Sequence, residues 1–174
     1  MSEIKRVVVV GAGTMGSQIA LQIGYSGRYA VNLVDADAAQ LERATEQNRK
    51  LAARAVEKGR LSDQQAETAL NAIENSPDLA RAAADAGLVI EAVFENLDVK
   101  REVWEQLEAS APPDAVLASN SSTIAVSRLA AFTTRPERCC NMHFFHPVTV
   151  MQLCEVVRGP ETSDATIEAA VSFV

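Results

Sequence analysis

Both histidines of the chain lie close together, in the segment NMHFFHPVTVMQLCEVVRG at residues 141–159. His143 and His146 are three residues apart, and Glu155 follows them among apolar residues. Such a set could form a metal site, two core histidines, or a general base with its carboxylate partner. In an extended segment, residues an odd number of positions apart point to opposite faces, so the two histidines cannot readily bind one ion. We therefore predict no metal site here.

A second candidate for chemistry is the pattern Gly11-x-Gly13-x-x-Gly16 near the N-terminus. It follows a β-branched run and opens a helix, which is the context that makes such a pattern a phosphate-binding turn. Gly11 permits the tight turn, Gly13 lets a pyrophosphate approach the backbone, and Gly16 allows the helix to pack closely on the strand. The free N–H groups of the helix would then face the phosphates.

Asp35 ends the next apolar strand, 19 residues after Gly16. A carboxylate at that position can accept hydrogen bonds from the ribose hydroxyls of adenosine, and it repels a 2′-phosphate. We therefore expect NAD rather than NADP as the cofactor. The alternative is an ordinary glycine turn followed by an aspartate that caps a helix.

The composition limits the broad class of protein. With 174 residues, 48% of them hydrophobic, the chain suits one soluble globular domain. The net charge of −7 argues against a nucleic-acid or anionic-membrane surface as the main partner. Cys139, Cys140 and Cys154 show no CxxC spacing and are interpreted as reduced core cysteines, so we expect a cytoplasmic protein.

Strand and helix patterns alternate along the chain and predict a doubly wound, Rossmann-type α/β fold with a mostly parallel sheet. We predict strands at 7–10, 31–34, 88–93, 115–120, 139–145 and 153–157. We predict helices from the glycine turn to Gly27, over 38–58, over 63–75, over 97–107, from near Thr123, and over 164–174 after a cap at Thr162 or Ser163. The two helices between 38 and 76 form a helical hairpin inserted after the second strand.

With these motifs, the chain resembles the NAD-binding domain of the L-3-hydroxyacyl-CoA dehydrogenase family, which includes 3-hydroxybutyryl-CoA dehydrogenases. The resemblance lies in VVVVGAGTMGSQIA (7–20), VDADAAQL (34–41), VIEAVFENLDVK (89–100), LASNSS (117–122) and HFFHPVTVMQLCEVV (143–157). It implies that residues 1–174 form an NAD-binding domain, and we expect this domain to be cut short before its last strand. The family's C-terminal helical domain is absent from this sequence, and the resemblance implies a homodimer of the full-length protein through that domain.

The resemblance also assigns roles to residues. It implies that His143 is the catalytic base, that Glu155 is its partner, and that Ser122 is a catalytic serine that binds the substrate's oxygen. For the cofactor it implies the set Gly11, Gly13, Met15, Gly16, Asp35, Glu95, Lys100 and Asn120. Two alternatives stay open: Ser121 and Ser122 could merely cap the following helix, and Glu95 and Lys100 could be an acidic residue and a solvated lysine at the start of another helix.

Two further residues follow from the resemblance. Lys58, at the end of the first hairpin helix, would bind the phosphates of coenzyme A. His146 stands where the family usually has asparagine, beside the cofactor, so it marks a departure from the family motif.

The resemblance implies an enzyme that oxidises (3S)-3-hydroxyacyl-CoA to 3-ketoacyl-CoA with NAD, reversibly. The expected partner is an acyl-CoA substrate, with no nucleic acid and no membrane. One alternative is a dehydrogenase of a small free hydroxy acid, of the carnitine or gulonate type. The other is an NAD-binding module that is not catalytically competent as this fragment.

Overall fold

A computed structural model describes residues 4–151 and 153–174, and in these residues seven strands form one sheet. The strands are β1 (Arg6–Val10), β2 (Ala30–Val34), β3 (Ile73–Ser76), β4 (Leu88–Glu91), β5 (Val116–Ser119), β6 (Cys139–Phe144) and β7 (Cys154–Arg158). The helices are α1 (Thr14–Tyr25), α2 (Ala38–Glu57), α3 (Asp63–Asn71), α4 (Leu79–Ala83), α5 (Leu97–Ser110), α6 (Val126–Ala130) and α7 (Asp164–Phe173), with a 3-10 turn at Pro136–Arg138.

The sheet has the order β3-β2-β1-β4-β5-β6-β7, and all of its pairs are parallel except β6 with β7. The chain thus moves outward from β1 in both directions, first through β2 and then through β4. The carboxyl ends of β1 and β4 lie at the point where the strand order reverses, which is where open α/β sheets bind ligands. The predicted doubly wound, mostly parallel fold is confirmed.

The four valines of β1 explain why this strand lies at the centre. Val7 and Val9 pack into the core on one face of the sheet, and Val8 and Val10 pack into the core on the other. A strand that is covered on both faces can be apolar at every position, as this one is. None of the helices within 4–151 and 153–174 combines the length and apolar character needed to cross a lipid bilayer.

The predicted hairpin over 38–76 is shorter in the structure. Helix α3 ends at Asn71, not near 75, and β3 then pairs with β2 in parallel, with Ile73 opposite Val31. The strand was missed because the sequence IENS continues the helical pattern, and β3 sits at an edge of the described sheet with only partial burial. A second difference is α6, which starts at Val126 instead of near Thr123 because the preceding residues form a side-chain-stabilised turn.

Candidate active site

The glycine turn after β1 has the geometry that its pattern predicts. Gly11 has a φ of 99°, and a Cβ there would lie 2.7 Å from the carbonyl oxygen of Ala92. A Cβ on Gly16 would overlap the carbonyl oxygen of Gly11, so α1 packs directly against the turn. In contrast, no described atom lies within 4 Å of a Cβ built on Gly13, so the backbone there is open to a ligand.

Asp35 lies beside this turn, at the end of β2, and is partly exposed. Its Oδ2 accepts a hydrogen bond from Ala12 N at 2.8 Å, and its Oδ1 accepts one from Asp37 N at 3.0 Å. A carboxylate has about four acceptor positions, so each oxygen keeps one for a ribose hydroxyl. The structure therefore places the predicted ribose acceptor next to the predicted phosphate turn.

A buried ion pair lies at the end of β4, on the other side of the switch point. Lys100 Nζ is 2.6 Å from Glu91 Oε1, and the two side chains are 1% and 0% exposed. Glu91 also accepts hydrogen bonds from Ser119 Oγ at 2.9 Å and from Val93 N at 2.9 Å. These contacts offset the free-energy cost of removing the two charges from water. A buried charge without such partners would be strongly destabilising.

Glu95 holds the turn that follows β5. Its carboxylate accepts hydrogen bonds from the hydroxyl of Ser121, from Thr123 N at 3.1 Å and from Thr123 Oγ1 at 2.7 Å. Lys100 Nζ lies 3.4 Å from its other oxygen. Partial burial raises the pKa of Glu95, but the hydrogen bonds and the Lys100 charge outweigh it and bring the pKa down to about 2. Glu95 is therefore an ionised anchor of this turn.

Four of the eight predicted cofactor residues and the predicted catalytic Ser122 surround one cavity of about 360 Å³ at the carboxyl ends of the strands. Met15, Glu95, Lys100, Asn120 and Ser122 line it, together with Ala92, Val93, Ser121 and Thr123. Asn120 is fixed by its Oδ1, which accepts a hydrogen bond from Phe144 N at 2.9 Å. Lys58 does not belong to this group, because it is exposed at the C-terminal end of α2.

Ser122, His143 and Glu155 form a hydrogen-bonded chain. The antiparallel register of β6 and β7 puts His143 directly opposite Glu155, and Nδ1 of His143 lies 3.1 Å from Oε2 of Glu155. On the other side of the ring, Nε2 lies 3.1 Å from Ser122 Oγ. Because a carboxylate only accepts, this contact requires a proton on Nδ1, and in a neutral ring Nε2 is then the acceptor toward Ser122. All three residues line a second cavity of about 270 Å³, and Ser122 lines both.

His146 lies apart from this chain, beyond the end of β6. Its Nε2 is 3.4 Å from Nε2 of the buried Gln18 on α1, whose Oε1 accepts a hydrogen bond from Val148 N at 3.0 Å. The two histidines therefore have different partners on different elements. Within the described residues, no group of three or more His, Cys, Asp and Glu side chains has a metal-binding arrangement.

The sequence did not single out several residues that shape the site. Thr123 binds Glu95, and Asn141 Nδ2 donates to Ser121 O at 2.8 Å, which anchors the turn from β6. Gln40 donates to the glycine turn at Ala12 O. The block SNSST could have indicated a hydrogen-bonded turn, but its partners lie in distant segments and no local pattern identifies them.

Comparisons with known proteins give matches over almost the whole chain. The model of the family "3-hydroxyacyl-CoA dehydrogenase, NAD binding domain" matches residues 6–174. A probable 3-hydroxybutyryl-CoA dehydrogenase of Bacillus subtilis is 40% identical over 164 residues, which are 94% of this chain and 56% of that protein. The 3-hydroxybutyryl-CoA dehydrogenase of Bradyrhizobium diazoefficiens is 41% identical over 174 residues, with 98% of this chain and 58% of that protein covered.

Among solved structures, the 3-hydroxybutyryl-CoA dehydrogenase of Escherichia coli K12 superposes with a TM-score of 0.91 at 35% identity, over 99% of this chain and 37% of that one. The chain thus spans little more than half the length of these two curated relatives. Because the matched family is that of an NAD-binding domain, the expectation of NAD as cofactor is confirmed.

Proposed function

Because this chain belongs to the 3-hydroxyacyl-CoA dehydrogenase family, we propose that it carries the NAD site and the acid-base group for reversible oxidation of (3S)-3-hydroxyacyl-CoA to 3-ketoacyl-CoA. The observation that supports this most strongly is the chain from Ser122 through His143 to Glu155, with 3.1 Å at each step. It lies next to the cavity lined by the residues expected to bind the cofactor.

The residues around the glycine turn fit a dinucleotide. The open backbone at Gly13 and the first turn of α1 would hold the pyrophosphate, and the free acceptor positions of Asp35 would bind the adenosine ribose. Met15, Lys100 and Asn120 would line the nicotinamide end. NAD⁺ bound there supplies the hydride acceptor.

His143 acts as the general base in this proposal. Its Nε2 would take the proton of the substrate hydroxyl while the carbon that carries this hydroxyl loses a hydride. In the reverse direction, Nε2 would return the proton to the keto oxygen. Glu155 keeps the proton of the neutral ring on Nδ1 and stabilises the imidazolium that forms. Ser122 can turn its hydroxyl from Nε2 to the substrate oxygen, because its side chain lines the cavities on both sides.

The substrate class rests on the relatives, whose names describe dehydrogenases of 3-hydroxyacyl and 3-hydroxybutyryl thioesters of coenzyme A. In the proposal, Lys58 binds a phosphate of coenzyme A from the loop between α2 and α3. Its exposed position at the end of α2 leaves the ammonium accessible to such a ligand.

The test compares the two histidines of the chain. His143→Gln should lower the rate of NADH oxidation with acetoacetyl-CoA by about two to four orders of magnitude, the usual contribution of a general acid-base group. His146→Asn, which introduces the residue usual in the family at this position, serves as the matched control and should keep most of the rate, and neither variant should lose NADH affinity by more than about tenfold. Equal rates for His143→Gln and the unmodified chain would contradict the proposal.

Two other outcomes would point to different functions. Preference for free hydroxy acids over the coenzyme A thioester would favour a dehydrogenase of small acids. Binding of NADH with no turnover of any of these substrates would favour an NAD-binding module.

A further inference from the structure

We propose that Gln40 is a positioning residue for NAD binding, because its side chain orients the peptide that presents Gly13 N–H to the pyrophosphate. Gln40 is the third residue of α2 and is half-buried beside the glycine turn. The proposal concerns cofactor binding alone, so its outcome does not depend on turnover of an acyl-CoA.

Side chains from the segment after β2 hold Ala12 on both sides. Gln40 Nε2 donates to Ala12 O at 2.7 Å, and Asp35 Oδ2 accepts from Ala12 N at 2.8 Å. Ala12 lies between Gly11, whose φ of 99° forms the turn, and Gly13, the N-cap of α1. The glycine turn is therefore stabilised by two side-chain hydrogen bonds at its middle residue.

The geometry of the peptide bond links Gln40 to the phosphate donor. In a trans peptide, the carbonyl of one residue and the N–H of the next point in opposite directions. Because Gln40 binds the carbonyl of Ala12, the N–H of Gly13 points away from Gln40. No described atom would meet a Cβ on Gly13 within 4 Å, so this residue borders open space that a phosphate can enter.

The orientation of the Gln40 amide is itself determined by a neighbour. Its Oε1 accepts hydrogen bonds from Arg43 Nε at 3.0 Å and from Arg43 Nη2 at 2.8 Å. Arg43 Nη2 also lies 3.1 Å from Asp37 Oδ2. A guanidinium can only donate, so the amide oxygen must face Arg43 and the amide nitrogen must face Ala12 O.

The contact between Gln40 and Ala12 O is not the one that the local sequence pattern predicts. Asp37 and Gln40 have the spacing of a capping box, in which the glutamine would bind the N–H of the capping residue. Ser62 and Gln65 at the start of α3 form that arrangement in full. At α2, however, the N–H of Asp37 is bound by Asp35 Oδ1 at 3.0 Å, and Gln40 reaches the glycine turn instead.

The test measures affinity for NAD, ADP-ribose and adenosine by displacement of NADH fluorescence. Gln40→Leu should weaken NAD and ADP-ribose about three- to tenfold, the range expected for one hydrogen bond. Adenosine, which lacks phosphates, should keep its affinity within about twofold. Gln47→Leu, an exposed glutamine on the same helix, is the matched control and should change none of the three.

A second variant keeps the test independent of any loss of folding. Gln40→Glu retains an acceptor for Arg43 but places a carboxylate against Ala12 O, so NAD affinity should fall further than in Gln40→Leu. An unchanged melting temperature in either variant ties the loss to binding. Unchanged NAD affinity in both variants, or an equal loss for adenosine, would overturn the proposal.

Discussion

Replacing Gly13 and Gly16 separately with alanine should separate cofactor binding from folding. At Gly13 the φ of −68° and ψ of −171° are ordinary for an L-residue, and a Cβ would meet no described atom within 4 Å. Alanine is a poorer N-cap than glycine, but it also restricts the unfolded chain, so the net change in unfolding free energy should stay within about 1 kcal/mol. A domain of this size would then change its Tm by no more than about 4 °C.

The same methyl group should strongly reduce NAD affinity. It would fill the space through which the pyrophosphate approaches the backbone, and inserting a methyl into a packed contact costs about 1–3 kcal/mol. That energy corresponds to an increase in Kd of about 5- to 150-fold. Gly13→Ala is therefore expected to be folded and to bind NAD about 5- to 150-fold more weakly.

Gly16→Ala should instead act mainly on the stability of the fold. Its Cβ would overlap the backbone carbonyl of Gly11, which cannot move without displacing the turn, and it would also touch Val9 Cγ1 at 3.4 Å. We expect a loss of about 3 kcal/mol or more in unfolding free energy. At about 2–4 °C per kcal/mol, the Tm should fall by at least about 6 °C.

The assay combines urea and thermal unfolding with calorimetric titration of NADH for each variant. Gly59→Ala is the control, because it lies outside both cavities and its φ of 65° makes alanine cost about 1–2 kcal/mol. It should lower the Tm and leave the Kd for NADH unchanged. Normal NADH binding by Gly13→Ala, or full stability of Gly16→Ala, would refute the reasoning.

Three further predictions concern carboxylates. Asp35→Asn should weaken NAD binding and reduce the preference for NAD over NADP, because the charge that repels a 2′-phosphate is removed. The ratio of the Kd for NADP to the Kd for NAD measures this preference. Burial raises the pKa of Glu108, but hydrogen bonds from two threonines and Arg135 bring the pKa down to about 2. The lowered pKa stabilises the folded protein above the pKa of an unperturbed glutamate, and this stabilisation is lost as the pH falls from about 5 toward 2. The free energy of unfolding in urea should therefore decrease less over that pH interval in Glu108→Gln than in the unmodified chain. Glu155→Gln should lower kcat for acetoacetyl-CoA by about two orders of magnitude or more while NADH affinity stays unchanged, since an amide cannot stabilise the imidazolium of His143.

The central strands of the fold are predictable because their burial shows in the sequence. The four consecutive valines of β1 can only be covered on both faces, and such a run favours a central parallel strand. Strand β3 lacks this pattern, because Ile73 and Ser76 are only partly buried and the two residues between them are exposed. Its place in the sheet is determined by pairing with β2, which is a tertiary property.

The site was predictable to the extent that it depends on motifs. The glycine spacing is a local property of one turn, and the pair His143 and Glu155 needs only two adjacent antiparallel strands. The contact between Glu95 and Ser121 joins segments 26 residues apart, from the loops after β4 and β5. Only the parallel pairing of those strands brings the loops together, so no local pattern could reveal it.

The buried pair of Glu91 and Lys100 connects the cofactor cavity with the hydrogen-bonded chain of Ser122, His143 and Glu155. Lys100 contacts both Glu91 and Glu95, and Glu95 in turn holds the turn that carries Ser122 against His143. The side chains of Lys100 and Glu91 are 1% and 0% exposed, so removing either partner would leave a buried charge without its counterion, which is strongly destabilising. The residue expected to touch the cofactor and the serine expected to touch the substrate are therefore held by one continuous polar network. Because one network holds both residues, a change at Lys100 should disturb the proton-transfer geometry as well as cofactor binding. If the two loops were held independently, a change at Lys100 would not be expected to affect both.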